Sequence, residues 1–423
     1  MSEKARAFLE RHGMEPERID PIPEAERMAE SLREGLRRPG ATVPMIPTWL
    51  HVDGALPPGA SAIVIDAGGT NFRCALARYT GEGFVIERMT KRKMPGIDAP
   101  ASWEDFIAFV ADAVEPLSAE ADAIGFCFSY SAEVTPEIDG RVLRMDKEIT
   151  VTGCEGRLVG ASLLSELARR GVTGKRVVVL NDTAAVLLGG TAGLDRSRYE
   201  GFIGQVSGTG TNTCCVLPLR EIGKLGRAED ARILVNLESG CYEGLPRGDF
   251  DAVLDRATLN PGTKHLEKVT AGVYLGELVR LMVAAAAEEG EISAKTAERV
   301  KALGRFDAAT VDAWASGEGL GEVCEGAEDA AFLRALALSV FERSARAMCV
   351  NILAILLLTG EGLERPVCLC AEGSLVQKGR HYRPRLEALL GEYAGEKLGR
   401  KLELRVGEET TLPGAAAAAL LNL

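Results

Sequence analysis

From Ser61 onward the chain breaks into short apolar runs separated by turn residues: Ala62-Ile63-Val64-Ile65, then Phe72-Arg73-Cys74-Ala75-Leu76-Ala77-Arg78-Tyr79, then Gly83-Phe84-Val85-Ile86. Runs of this length with tight breaks predict three consecutive strands. A helical spacing follows near 102–117, a strand at 123–128, a helix near 159–170 and a strand at 177–180. Strands alternating with helices predict an α/β architecture. A second hairpin is expected between 201 and 217, and helical spacing extends over 267–289 and 327–358, so the second half is the more helical. Ahead of position 60 lies a charged, helix-compatible stretch at 24–32, closed by the turn-forming Pro57-Pro58-Gly59. A helical N-terminal segment, 1–59, is the expectation there.

Length and charge narrow this picture. A chain of 423 residues and 45.1 kDa exceeds what one hydrophobic core usually serves, which predicts two lobes around a cleft. A formal net charge of -12 argues against nucleic acid or anionic lipid as partners, since both require a basic face. The charged start and the lack of any long uncharged apolar run predict a soluble, cytoplasmic protein with no membrane partner. Nothing in the sequence points to an oligomeric state. The 10 cysteines include no CxxC pair, so buried free thiols are expected, with Cys368 and Cys370 sharing one face of a strand.

The candidate chemistry begins with an internal echo. Ile65-Asp66-Ala67-Gly68-Gly69-Thr70-Asn71-Phe72 and Val206-Ser207-Gly208-Thr209-Gly210-Thr211-Asn212-Thr213 each place Gly-Thr-Asn between strand-like runs. A glycine-rich hairpin tip offers backbone N–H groups at close range to an anion, and threonine adds a hydroxyl. Either tip taken alone is equally a tight β-turn. The sequence has no GxxxxGK[ST] loop, no GxGxxG and no protein-kinase signature set.

Taken in order, these segments resemble the hexokinase family. The series runs Asp66-Ala67-Gly68-Gly69-Thr70-Asn71-Phe72-Arg73, Phe128-Ser129-Tyr130, Asp146-Lys147, Asn181-Asp182-Thr183, Gly208-Thr209-Gly210-Thr211-Asn212, Asn236-Leu237-Glu238 and Asn260-Pro261-Gly262 with Glu267. It continues through 274–280, Gly373-Ser374 and Gly414-Ala415-Ala416. The resemblance implies a two-lobed actin-like ATPase (ribonuclease H-like) fold with an interlobe cleft. It places a small lobe at 60–182, with 411–423 returning to it, a large lobe at 183–410, and segment 1–59 packed on the large lobe.

The activity so implied is transfer of the terminal phosphoryl group of ATP to the 6-hydroxyl of a hexose, glucose by default, with Mg²⁺. Asp182 would be the general base, because the attacking hydroxyl must lose a proton to a carboxylate within hydrogen-bond reach. Lys147 and Arg73 would assist catalysis. Ser129, Lys147, Asn181, Asp182, Asn212, Glu238 and Glu267 would bind the sugar, whose hydroxyls both donate and accept. Asp66, Gly68, Gly69, Thr70, Asn71, Arg73, Gly208, Thr209, Gly373 and Ser374 would line the nucleotide and phosphate path, with Asp66 holding Mg²⁺ directly or through water.

Read without the resemblance, Asn181-Asp182-Thr183 is also a helix start with Asp182 or Thr183 as the cap, or a glycosylation sequon, and Glu238 and Glu267 are solvated charges. The resemblance is broken around the sugar, at Tyr130, Ser131, Asp146, Ser239 and Lys264, and on the nucleotide side at Glu372. Acceptors other than glucose, polyphosphate as donor, and a sugar-binding sensor without turnover are the competing readings.

Overall fold

The structure, a computed structural model, describes residues 2–145 and 149–423. Its strands are β1 (Ile46–His51), β2 (Ser61–Gly68), β3 (Asn71–Tyr79), β4 (Phe84–Lys93), β5 (Ala101–Ser102), β6 (Ala123–Phe128), β7 (Ser131–Val134), β8 (Gly140–Arg144), β9 (Val151–Thr152), β10 (Arg176–Leu180), β11 (Gly201–Ser207), β12 (Thr211–Pro218), β13 (Arg232–Asn236), β14 (Val367–Glu372) and β15 (Leu402–Val406). Two sheets carry the architecture, in the orders β10-β6-β2-β3-β4 and β1-β13-β12-β11-β14-β15.

Both sheets are built the same way. In the first, β2, β3 and β4 form an antiparallel meander, and β6 and β10 extend it in parallel from the free side of β2. In the second, β11, β12 and β13 form the meander, and β14 and β15 extend it in parallel from β11. The Gly-Thr-Asn echo therefore marks the same turn in two copies of one topology. β2–β3 and β11–β12 are the corresponding hairpins.

Helices cover the sheet faces, which explains why β2 and β6 are apolar on both sides. Helices Trp103–Val114 and Val159–Arg169 pack on one face of the first sheet, in a core with Ile63, Ile65, Phe126 and Val179. The closing helix Thr411–Asn422 packs on the other, in a core shared with Ala62, Val64, Leu180 and Leu187. Its small residues are a packing requirement. A Cβ on Gly125 would stand 2.0 Å from the Ala415 carbonyl oxygen, and one on Gly414 would stand 1.9 Å from that of Ala185. The Gly414-Ala415-Ala416 motif thus lets one helix lie against β6 and helix Asp182–Gly190 at backbone distance.

The largest core surrounds helix Ala327–Thr359, against which helix Pro21–Arg37 packs. The N-terminal segment is not helical throughout, contrary to expectation, because Ile46–His51 forms β1 at the edge of the second sheet. Among the described residues no helix is long and apolar enough to cross a membrane. The ten cysteines are free, and the Cys368 and Cys370 thiols lie 3.7 Å apart on one buried face of β14.

Candidate active site

The first glycine hairpin joins β2 to β3. Gly68 pairs with Asn71, and Gly69 between them adopts φ +55°, a left-handed conformation that glycine enters without steric cost. Asp66 stands opposite Arg73 in this register, and Arg73 donates to its Oδ2 from Nε at 3.0 Å and Nη2 at 2.7 Å. Ser129, following β6, is brought to the same turn: a Cβ on Gly68 would lie 3.4 Å from both Asp66 Oδ1 and Ser129 Oγ. The Tyr130 hydroxyl donates to the Gly69 carbonyl at 2.8 Å, so a tyrosine supports the turn from beneath.

Lys91 belongs to this cluster and is absent from the sequence-based candidates. In the β3–β4 register Arg73 faces Lys91, Phe72 faces Arg92 and Asn71 faces Lys93. Directly opposed residues share a sheet face, so Lys91 lies on the side of Asp66 and Arg73. Arg92 confirms the alternation by lying over the Phe109 ring on the other face, 5.8 Å from its centroid. Lys93 pairs with Asp98, whereas Lys91 is exposed and has no ion-pair partner among the described residues.

Burial pushes the Asp66 carboxyl above its ordinary range; Arg73 pulls it down, and the Asp182 and Glu372 carboxylates push it up further. Glu409 lies 3.9 Å from Arg73 Nη1. The site therefore concentrates carboxylates around one buried aspartate with a single guanidinium to balance them. No group of three or more His, Cys, Asp or Glu forms a metal cage among the described residues. A divalent ion of magnesium type, which takes few protein oxygens and fills its shell with water and phosphate, fits this donor set.

Asp182 is the first residue of helix Asp182–Gly190, immediately beyond the end of β10. The helix cap is Asn181, not Asp182 or Thr183: its side-chain oxygen accepts from Ala184 N at 3.0 Å. Asp182 Oδ1 accepts from Thr183 N at 2.8 Å and Thr183 Oγ1 at 3.3 Å. Its Oδ2 has no protein hydrogen-bond partner among the described residues. Asp182 follows β10 of the first sheet, and the carbonyl of the next residue, Thr183, accepts from Cys214 Sγ on β12 of the second at 3.3 Å, so Asp182 lies where the two sheets approach. One oxygen is held and one is open, which is the geometry a general base requires.

The second hairpin, β11–β12, is closed by Gly208 N donating to Gly210 O at 3.0 Å. Gly208 lies against the start of helix Ser374–Lys378, since a Cβ there would stand 3.6 Å from Gly373 Cα and Ser374 N. Gly373 adopts φ +121°, and a Cβ on it would meet Ser207 O at 2.4 Å. Gly208, Gly373 and Ser374 are thus one contiguous surface, with Thr209 exposed at its tip.

The remaining predicted residues gather where β12 begins and β13 ends. Asn212 Nδ2 donates to Asn236 Oδ1 at 2.8 Å and Glu238 Oε1 at 3.1 Å, and Asn236 Nδ2 donates to the same Glu238 oxygen at 2.8 Å. Glu267 Oε2 accepts from Thr211 N at 3.3 Å. Asn351, wholly buried on helix Ala327–Thr359, donates to Thr213 Oγ1 and Ser239 Oγ, both at 3.2 Å. Asn236 and Asn351 therefore hold the wall without being among the predicted ligands. Glu238 adopts φ +54° and Lys264 φ +56°. Left-handed backbone at non-glycine residues costs of order 1 kcal/mol or more each and concentrates at functional sites. Lys147 and the preceding Asp146 lie outside the described residues.

His265 begins the helix His265–Thr270 that carries Glu267. It is buried, its Nε2 has no hydrogen-bond partner among the described residues, and burial lowers its pKa to about 4. Between pH 4 and the ordinary value near 6.5 the unfolded chain binds the extra proton. The stabilisation from keeping His265 neutral is complete above pH 6.5 and is lost as pH falls towards 4. About 3 kcal/mol should disappear across that window. Urea unfolding of the wild type and His265→Gln at pH 7.5 and 4.5 should show the difference between them shrinking at the lower pH; a constant difference contradicts this account.

A duplicated α/β sheet with a glycine hairpin on each copy, and an aspartate between them, defines the actin-like ATPase architecture. Two family profiles described as Hexokinase match residues 4–192 and 202–421. The chain is 29% identical over 283 residues to Hexokinase-1 of Saccharomyces cerevisiae, covering 62% of this chain and 57% of that protein's length. Against Hexokinase-1 of Schizosaccharomyces pombe it is 26% identical over 429 residues, covering 94% of this chain and 86% of the relative. The solved hexokinase of Schistosoma mansoni complexed with glucose superimposes with a TM-score of 0.75 at 22% identity, over 98% of this chain and 99% of the other. The chain belongs to the hexokinase family.

Proposed function

We propose that this protein transfers the terminal phosphoryl group of ATP to the 6-hydroxyl of a hexose, glucose by default. The observation that carries the reading is Asp182, with one carboxylate oxygen fixed by Thr183 and the other open, electrostatically coupled to the Asp66–Arg73 pair at the first glycine hairpin. Family membership and the glucose complex of the Schistosoma relative support a hexose as acceptor.

In this reading the sugar lies on the wall of Asn212, Glu238 and Glu267, with Asn181 and Ser129 contributing further contacts. Asp182 Oδ2 accepts the proton as the hydroxyl oxygen forms its bond to the terminal phosphorus. The bond from that phosphorus to the bridging oxygen breaks, and ADP leaves with the electron pair. Thr70, Asn71, Arg73 and Lys91 line the phosphate path from one hairpin and Gly208 and Thr209 from the other, with Gly373 and Ser374 beside the nucleoside. Asp66 would hold Mg²⁺, directly or through water, which neutralises phosphate charge. The protein contributes position and electrostatics, which dominate phosphoryl transfer.

A coupled assay over a panel of sugars and donors tests the proposal. Glucose with ATP should give turnover; turnover only with another acceptor or with polyphosphate replaces the substrate assignment, and sugar binding without turnover replaces the enzyme by a sensor. Lys91→Met should raise KM for MgATP about tenfold, the effect of one lost phosphate contact of roughly 1.4 kcal/mol, with little change in KM for the sugar. The lobes, 60–182 with 411–423 and 183–410, are proposed to close over the hexose and exclude water. Small-angle scattering should show a smaller radius of gyration with glucose; superimposable profiles contradict closure.

A further inference from the structure

Two lysines four residues apart flank Glu267, Lys264 just before helix His265–Thr270 and Lys268 within it, and they differ in what their ammonium groups do. Lys268 is buried, and its Nζ is held by Asp255 and by the Asn260 carbonyl at 2.8 Å. Gly262 N also donates to Asp255, so the loop is tied down on both sides of Lys264. Lys264 itself has a side chain 40% exposed, and its Nζ lies 3.6 Å from Glu267 Oε1, beyond hydrogen-bond length. It has no hydrogen-bond partner among the described residues.

The charge surroundings of that ammonium are well defined. Burial works against it, and the Glu267 and Glu238 carboxylates outweigh burial and raise its pKa. The other groups facing it, Cys241 and Tyr274, have their acidic protons held more tightly by burial and are neutral near pH 7. Among the described residues the wall thus carries two carboxylates and one ammonium. A surface pair spaced three residues apart on a helix would be worth little. Here Lys264 is held in left-handed backbone, as is Glu238, and the Lys264 Nζ lies 3.6 Å from Glu267 Oε1, while the other Glu267 oxygen accepts from Thr211 N beside Asn212.

We propose that Lys264 is a specificity-determining residue of the acceptor site, selecting neutral hexoses over hexoses that carry a protonated amino group. The inference rests on the hexose-kinase reading above. A hydroxyl can accept a hydrogen bond from the Lys264 ammonium. A protonated amine has no lone pair to accept that bond, and the two cations repel one another. Without Lys264 the two carboxylates would attract that amine. A unit charge facing another across roughly 8 Å at an effective dielectric of about 20 changes an equilibrium constant by about thirtyfold, which screening at physiological salt reduces to about fourfold.

The test is the ratio of kcat/KM for glucosamine to that for glucose, measured at pH 6.5 with ATP and Mg²⁺ for the wild type, Lys264→Gln and Lys264→Arg. Lys264→Gln should raise the ratio about fourfold or more, mainly through KM for glucosamine. Lys264→Arg, which keeps the charge, should leave it within about twofold of the wild type. Calorimetric Kd values for both sugars on the same three proteins read the same ratio without turnover, which separates a failure of this proposal from a failure of the kinase reading. Equal ratios in wild type and Lys264→Gln, or no binding of either sugar to the wild type, overturn it.

Discussion

Asp182→Ala should lower kcat for glucose phosphorylation by about 10³-fold or more, within the range general-base catalysis supplies. The loss is expected in kcat rather than in the sugar KM, because the contacts of Asn212, Asn236, Glu238 and Glu267 with one another do not involve Asp182. The fold should survive. Asn181 remains as the helix cap, and removal of one first-turn carboxylate costs about 0.5 kcal/mol. Asp182→Asn should behave like the alanine variant, since an amide keeps the shape and the Thr183 contact but cannot take a proton at this pH. A kcat within tenfold of the wild type would remove Asp182 from the chemistry.

The largest stability effect is expected at Asp251, on helix Asp249–Ala257. Arg343, on helix Ala327–Thr359, donates to Asp251 Oδ1 at 3.0 Å and Oδ2 at 2.6 Å, and both side chains are 3% exposed. Gly248 N donates to the same carboxylate at 2.8 Å, closing the start of helix Asp249–Ala257. Burial works to raise the Asp251 carboxyl, and Arg343 with the Gly248 amide outweighs it and holds it below its ordinary value. Asp251→Ala strands a buried guanidinium, which should cost about 3–5 kcal/mol. The double variant Asp251→Ala, Arg343→Met should cost less than the sum of the two single changes, because it removes the unpaired charge as well. Urea midpoints of the four proteins measure this cycle; additive costs, or a single-variant loss below about 1 kcal/mol, contradict it.

Much of this arrangement is legible in the sequence where local pattern and tertiary role coincide. β2, β3 and β4 follow from apolar runs broken by Gly and Thr, and the Gly-Thr-Asn echo marks both glycine hairpins because each must turn tightly at a sheet end. β1 escapes such reading. Its six residues, Ile46-Pro47-Thr48-Trp49-Leu50-His51, include a proline, a positive φ at Trp49 and a register break, so no alternation survives. The cap of the helix bearing Asp182 is equally hidden, since Asn, Asp and Thr all cap well and only the extended φ, ψ of Asn181 decides among them. Lys91 is separated from Arg73 by 18 positions, and the β3–β4 register alone joins them. Asn351 lies 112 and 138 residues from Ser239 and Thr213, the wall residues it holds, within a helix whose sequence reads simply as core.

The central claim is that the β2–β3 and β11–β12 hairpins deliver a phosphoryl group to a sugar hydroxyl beside Asp182. Incubation with glucose, Mg²⁺ and ATP labelled at the terminal phosphorus tests it directly, with the label followed into products. The account predicts label in a hexose 6-phosphate for the wild type and almost none for Asp182→Ala; label released only as inorganic phosphate, or equal transfer by both proteins, would contradict it.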